Sequence, residues 1–316
     1  MKSRILLPGH FEGDLAGPLH GLGAEAVPYD EEGTPLRDSG GATALFRWWL
    51  TPEQGDRLIA EHPLLRWIHS GSAGIDHILT PRFRASSIVL TNSAGVHAPS
   101  IAEWVVGAML QVLKDLPAMR RRQEAREFEK VLRPELTGQR ALFLGTGHIA
   151  GAIASRLAPF GMRLAGVNRS GSPHPVIPEI VPQSSLRAAA AGADWLIVTA
   201  PYTPETAGLV GRDLIAALPP RARIVNVSRG ELLDEDALAD AVREKRLAGA
   251  ILDVFRVEPL PKEHPFWTME EIVVLPHTTW RSPQVRARQI DLFVDNLRRF
   301  LAGEPLRNVV DVARGY

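Results

Sequence analysis

No cysteine occurs anywhere in the 316-residue sequence. That excludes disulfides, thiolate nucleophiles, iron–sulfur clusters and zinc–thiolate sites together, and no other metal site is indicated. Nothing in the chain requires an oxidising compartment. Net charge is lacking as well, since 36 Lys and Arg balance 36 Asp and Glu. A zero balance argues against a whole-molecule field for nucleic acid or anionic membrane, while leaving room for a local patch. Long apolar runs are also missing. No stretch reaches the roughly 20 residues of a membrane span. The N-terminal MKSRILLPGHFEGD has too short an apolar segment for a signal peptide. The sequence is therefore read as cytoplasmic, with neither nucleic acid nor membrane as a partner. Lysine is scarce, with five among the 36 basic residues, and this carries no functional inference.

What is present is the composition of a folded protein. Hydrophobic residues make up 45% and charged residues 23%, which excludes wholesale disorder. The length exceeds one ordinary core, because single cores stop growing at roughly 250–300 residues. Two domains are expected.

The first hundred residues alternate short apolar runs with helical stretches. RILLP (4–8), AEAVPYD (24–30), ALFRWW (44–49), LRWIHS (65–70) and IVLTN (88–92) read as strands, each partly β-branched or aromatic. Five such strands with helical connections predict a small, doubly wound parallel α/β domain. A long helix follows, with Ser100 as N-cap and Glu103 three residues later. Ile101, Val105, Ala108, Met109, Val112 and Leu116 share one face, and Pro117 closes the run. RRRQEAREFEK then reads as a solvated arm or surface helix. Glu124, Glu127 and Glu129 interrupt the basic run and argue against a nucleic-acid patch.

A second series, ALFLG, RLAGVN, DWLIVTAP, ARIVNVS, AGAILDVF and IVVLP, predicts six strands of a dinucleotide-type sheet. From Ser282 a last amphipathic helix places Ile290, Phe293, Leu297, Phe300 and Leu301 on one face, with Gly303 beyond its end.

The strongest local motif is ALFLGTGHIAGAIASRLAPFG, in which Gly145, Gly147 and Ala150 fill G-x-G-x-x-G/A directly after a strand. Ile149, Ile153, Leu157 and Phe160 continue at helical spacing. Gly145 allows the tight turn, Gly147 lets the backbone approach a pyrophosphate, and Ala150 permits close helix packing. The helix N-terminus offers free N–H groups to the anion. An acidic residue that binds the ribose hydroxyls is expected about 20 residues on. Asn168 stands there instead, followed by Arg169 and Ser170. A guanidinium and a hydroxyl suit a 2′-phosphate, which favours NADP(H). NAD(H) stays open, with Asn168 binding a plain ribose and Arg169 turned to solvent.

Three polar residues follow later strands: Arg229 after IVNVS, Glu258 after ILDVF and His277 after IVVLP. Each alone is unremarkable. Together they form a complete set for reducing a 2-oxo acid. A cation binds the carboxylate and polarises the ketone, a histidine handles the hydroxyl proton, and a carboxylate favours the imidazolium and fixes its ring. The nicotinamide would carry the hydride.

These residues resemble the D-isomer-specific 2-hydroxyacid dehydrogenases over nearly the whole chain. The likeness rests on GSAGIDHI (71–78), Ala102 and Glu103 of IAEW, GTGHIA (145–150), NVSRGELLDEDAL (226–238), DVFRVEPLP (253–261) and LPHTT (275–279). The resemblance implies that Arg229 binds substrate, His277 is the general acid–base and Glu258 its carboxylate partner. It places Ala73 and Gly74 in the loop whose N–H groups hold the substrate carboxylate. Gly145, Gly147, His148 and Ile149 would meet the pyrophosphate. Pro201, Thr206 and Ser228 would line the cofactor, with Asp253 near the nicotinamide amide.

The resemblance also implies an architecture. A flavodoxin-like substrate domain would comprise residues 1–99 and 282–316, and a Rossmann cofactor domain residues 100–281. The active site would lie in the cleft between them, and a homodimer would form through the cofactor domain with help from the charged arm at 120–140. Departures from the family pattern are Asn168 in place of Asp and TTW (Thr278, Thr279, Trp280) after His277, which would reshape the pocket rim. Trp48 and Trp49 either face the cleft or pack elsewhere. If they crowd it, a small substrate such as glyoxylate or hydroxypyruvate is favoured. Two alternatives are a dinucleotide-sensing corepressor-like binding protein and a formate dehydrogenase-like enzyme.

Overall fold

The computed structural model describes residues 2–75 and 77–314. The chain opens with β1 (Ser3–Pro8), α1 (Glu12–Gly21), β2 (Ala24–Tyr29), β3 (Ala42–Arg47), α2 (Pro52–Glu61), β4 (Trp67–Ser70), α3 (Pro81–Arg84) and β5 (Val89–Thr91). Next come α4 (Ala98–Lys114) and α5 (Leu116–Ala125). The second strand series is β6 (Arg140–Leu144), α6 (His148–Leu157), β7 (Arg163–Asn168), β8 (Glu179–Pro182), α7 (Leu186–Ala190), β9 (Trp195–Val198) and α8 (Arg212–Ala217). It continues through β10 (Arg223–Asn226), α9 (Glu235–Arg243), β11 (Gly249–Leu252) and β12 (Ile272–Val274), and the chain ends on α10 (Pro283–Ala302).

Two compact units result, Met1–His97 with Ser282–Tyr316, and Ala98–Arg281. The first holds a five-stranded parallel sheet in the order β2-β1-β3-β4-β5, the second a seven-stranded parallel sheet in the order β12-β11-β10-β9-β6-β7-β8. Both reverse their winding once, between β1 and β3 and between β6 and β9. Doubly wound sheets bind ligands beyond the strand C-termini at such points.

The strands were legible because both sheet faces are covered. Successive side chains alternate between faces. Leu142 and Leu144 of β6 join one apolar cluster and Ala141 and Phe143 join another, all at 3% exposure or less. Leu6 and Leu45 likewise face a different cluster from Ile5, Leu7, Ala44 and Phe46. Near-continuous apolar runs are the mark of such strands.

Four expectations need correction. The cofactor-type sheet has a seventh strand, β8, whose EIVP is half-exposed and closes on a proline at the sheet edge, so it lacks an apolar run. Helix α4 begins at Ala98, which puts Ser100 inside it. The Ser100 hydroxyl donates to the Thr279 carbonyl (2.7 Å) instead of capping. Phe160 lies beyond the end of α6 and is 39% exposed, and Leu301 faces away from the buried face of α10, which carries Phe293 and Leu297. Among the described residues no helix is long and apolar enough to cross a membrane.

Candidate active site

In the second unit, β6 ends directly on the glycine loop. Gly145 has φ +92°, and a Cβ there would come within 2.6 Å of the Ala200 backbone beyond β9. Only glycine fits where the two strands meet at the winding reversal. Gly147 is the N-cap of α6, and no atom lies within 4 Å of where its Cβ would project. That open approach to the first-turn N–H groups of His148 and Ile149 fits a pyrophosphate.

At the end of β7 the Asn168 side chain is fully engaged. Its Oδ1 accepts from the N–H groups of Gly171 (2.7 Å) and Ser172 (3.1 Å). Its Nδ2 donates to Thr146 Oγ1 (3.1 Å) and the Ser172 carbonyl (2.8 Å). These are all the hydrogen bonds an amide side chain can make. Asn168 therefore shapes the 168–172 turn, on which Arg169 and Ser170 are exposed. The Ser228 hydroxyl donates to the Ala200 carbonyl, and Thr206 Oγ1 donates to the Pro201 carbonyl (2.7 Å). Both shape the segment after β9.

Arg229, Glu258 and His277 follow β10, β11 and β12, which lie side by side. His277 Nδ1 is 2.7 Å from Glu258 Oε2, while Glu258 Oε1 accepts from the Phe255 N–H (3.0 Å). A carboxylate only accepts, so Nδ1 carries the proton and Nε2 is left to exchange one with a ligand. Next to Arg229, whose guanidinium donates to the Ser228 carbonyl (2.9 Å), a Cβ on Gly230 would lie 2.0 Å from the Phe255 carbonyl carbon. The backbone behind Arg229 thus abuts the segment that holds Glu258.

His277 has φ +48°, in the left-handed region. Asp253 stabilises that turn. Its carbonyl accepts from the His277 N–H (2.9 Å), and its carboxylate accepts from the Thr278 N–H (2.9 Å) and the Thr279 hydroxyl. Burial pushes the Asp253 carboxyl above its ordinary pKa, against the lowering effect of those bonds. Thr279 is 1% exposed and bound to Asp253, so it is a buried clamp and not part of a rim. Trp280 Nε1 donates to the His277 carbonyl (3.0 Å).

In the first unit, the loop after β4 is held by its carbonyls. Gly71 O accepts from Gln289 Nε2 (2.8 Å), Ser72 O from the Ser93 N–H (3.1 Å), Ala73 O from Asn92 Nδ2 (2.9 Å) and Gly74 O from the Ser72 hydroxyl (2.8 Å). Among the described residues no acceptor takes the N–H of Ala73 or of Gly74. Successive N–H groups without an acceptor are the kind of donor that an anion takes. Trp48 is half-buried beside this loop, packed edge-on against Phe11 at 5.5 Å, whereas Trp49 is 75% exposed and not a core residue.

A model of the NAD-binding domain of D-isomer specific 2-hydroxyacid dehydrogenases matches residues 106–279. The chain belongs to the D-isomer specific 2-hydroxyacid dehydrogenase family. It is 31% identical over 287 residues to hydroxyphenylpyruvate reductase of Plectranthus scutellarioides, covering 83% of this chain and 90% of that one. A D-isomer specific 2-hydroxyacid dehydrogenase of Xanthobacter autotrophicus, solved with NADPH and MES, superposes over all of both chains with a TM-score of 0.86 and 28% identity. An NADPH-dependent glyoxylate/hydroxypyruvate reductase of Sinorhizobium meliloti, solved with NADP and sulfate, does so with a TM-score of 0.84 and 28% identity. As a member of this dehydrogenase family, the protein is an oxidoreductase that binds a nicotinamide dinucleotide and acts on 2-hydroxy or 2-oxo acids.

Sequence reading missed the roles of several residues that shape these segments of the dehydrogenase. Asn92 and Gln289 fasten the Ala73–Gly74 loop, and Thr279 fastens the His277 turn. Gln289 did leave a signal. It lies four residues before Phe293, on the buried face of α10, where a polar side chain needs a partner.

Proposed function

We propose that the protein is an NADPH-dependent reductase of a small 2-oxo acid, glyoxylate or hydroxypyruvate, reversible on the D-2-hydroxy acid. The observation that carries this reading is the His277–Glu258 pair, with Nδ1 tied to the carboxylate at 2.7 Å and Nε2 left for proton exchange. The Ala73 and Gly74 N–H groups and the Arg229 guanidinium bind the substrate carboxylate, and Arg229 also polarises the ketone. Bound dihydronicotinamide supplies the hydride to the carbonyl carbon. As the C=O π bond breaks, its electron pair moves to oxygen, and Nε2 of the His277 imidazolium gives that oxygen a proton. Glu258 keeps the ring in the orientation and tautomer that this transfer requires.

The second unit holds the cofactor, and Arg169 and Ser170 on the Asn168-organised turn favour the 2′-phosphate of NADPH. Trp48 beside the carboxylate loop supports a small substrate. Phe128 and Leu132 are 97% and 98% exposed in the segment after α5. Two such large apolar side chains support burial against a second copy of the chain in a homodimer.

The test is the nicotinamide absorbance change with a panel of 2-oxo acids, 2-hydroxy acids and formate, each with both cofactors. Turnover of glyoxylate or hydroxypyruvate with NADPH is expected. Tight cofactor binding with no turnover on any of them would point to a dinucleotide sensor, and turnover of formate alone would overturn the substrate class.

A further inference from the structure

We infer that Gln289, a residue of the C-terminal helix, is a positioning residue that orients the Ala73–Gly74 amides toward a substrate carboxylate. The inference rests on the proposed reading of that loop as the carboxylate site. Gly71 is the residue at which β4 becomes the loop, so its peptide planes set the direction of the three residues that follow. Four groups hold it. Its N–H donates to the Arg47 carbonyl (3.0 Å), continuing the pairing of β3 with β4. Its Cα faces the Trp48 ring. Its carbonyl accepts from Gln289 Nε2 (2.8 Å) and, at the longer distance of 3.4 Å, meets His97 Nε2.

Gln289 is 2% exposed and 218 residues distant in sequence. A buried amide of that kind is costly unless it is bonded, so its presence on an apolar helix face calls for a specific partner. Without the Nε2 donor, the peptide between residues 71 and 72 keeps only its longer bonds, the Ser72 N–H to Ser70 Oγ (3.2 Å) and the Gly71 carbonyl to His97 Nε2 (3.4 Å), and can tilt. A tilt there would re-aim the Ala73 and Gly74 N–H groups that follow. The clamps of Ser93 N–H on Ser72 O and Asn92 on Ala73 O act further along the loop. Gln289 touches no reacting atom in this scheme. Its effect is on where the carboxylate sits.

The experiment is steady-state kinetics of Gln289→Met, which keeps the length and removes the donor, beside Asn92→Ala, which removes the second side-chain clamp. KM for glyoxylate and Ki for the carboxylate inhibitor oxamate are each expected to rise about tenfold or more. The Kd for NADPH, read by fluorescence titration, is expected to stay within twofold. A Gln289→Met enzyme with lowered Tm but wild-type KM and Ki overturns the inference and leaves Gln289 a purely structural residue. If Gln289→Met does not fold, Asn92→Ala decides, because unchanged KM and Ki there would show that clamped carbonyls do not set carboxylate affinity. Failure of the underlying reading looks different. In that case the wild-type enzyme would reduce glyoxylamide as well as glyoxylate, or would not be inhibited by oxamate at all.

Discussion

The indole of Trp48 occupies the space that a side chain at residue 71 would need, since a Cβ on Gly71 would lie 1.9 Å from Trp48 Cε3. The Trp48 backbone cannot easily yield. Its N–H donates to the buried Tyr29 hydroxyl (3.0 Å), which itself donates to the Phe46 carbonyl (2.8 Å). Gly71→Ala is expected to destabilise the protein by about 1–3 kcal/mol, the usual cost of overpacking. Adding Trp48→Ala should relieve the clash, so chemical denaturation of the double variant should show less loss than the sum of the two singles.

His69 gives the first unit a defined acid sensitivity. The ring is fully buried between Phe46 and Phe293, with Nδ1 2.8 Å from Thr91 Oγ1. Burial pushes its pKa down from 6.5 to about 3. The fold therefore holds the neutral ring while the unfolded chain takes up a proton. The stability this contributes is complete above pH 6.5 and is lost as pH falls toward 3. Between pH 6.5 and about pH 5 the wild type should lose about 2 kcal/mol that His69→Gln does not lose. Denaturation of both proteins across that range checks it, and parallel curves would refute it.

Arg169→Ala should separate the two cofactors. A hydrogen bond to a charged group contributes about 1.5–3 kcal/mol, so KM for NADPH should rise at least tenfold while KM for NADH changes little. Equal effects on both would mean that Arg169 does not meet a 2′-phosphate.

Phe128→Asp together with Leu132→Asp should convert a dimer into a monomer in sedimentation velocity runs, without loss of secondary structure by circular dichroism. A wild type that sediments as a monomer would remove the basis for the homodimer.

Much of the fold was legible because parallel strands buried on both faces are continuous apolar runs, as in Leu142–Leu144 and Trp195–Val198. The strand that escaped notice, β8, is half-exposed at a sheet edge and ends on Pro182. The candidate site residues of the two units divide in the same way. His277 and Glu258 follow strand ends, and their pairing could be anticipated from chemistry alone. The clamps could not, because they join residues far apart in the sequence, such as Thr279 to Asp253 and Gln289 to Gly71. Asn168 shows a different limit. Its position after β7 pointed toward the ribose, but three bonds within the turn and one to Thr146 of the glycine loop engage its amide.

The most direct test is the rate at which the NADPH-bound enzyme oxidises its cofactor on mixing with glyoxylate, compared between wild type and His277→Ala. A positioned general acid contributes about 100- to 10,000-fold. A loss of that size in kcat, with the Kd for NADPH within twofold, is the expected result. A His277→Ala enzyme that reduces glyoxylate at the wild-type rate would contradict the assignment of His277 as the proton donor.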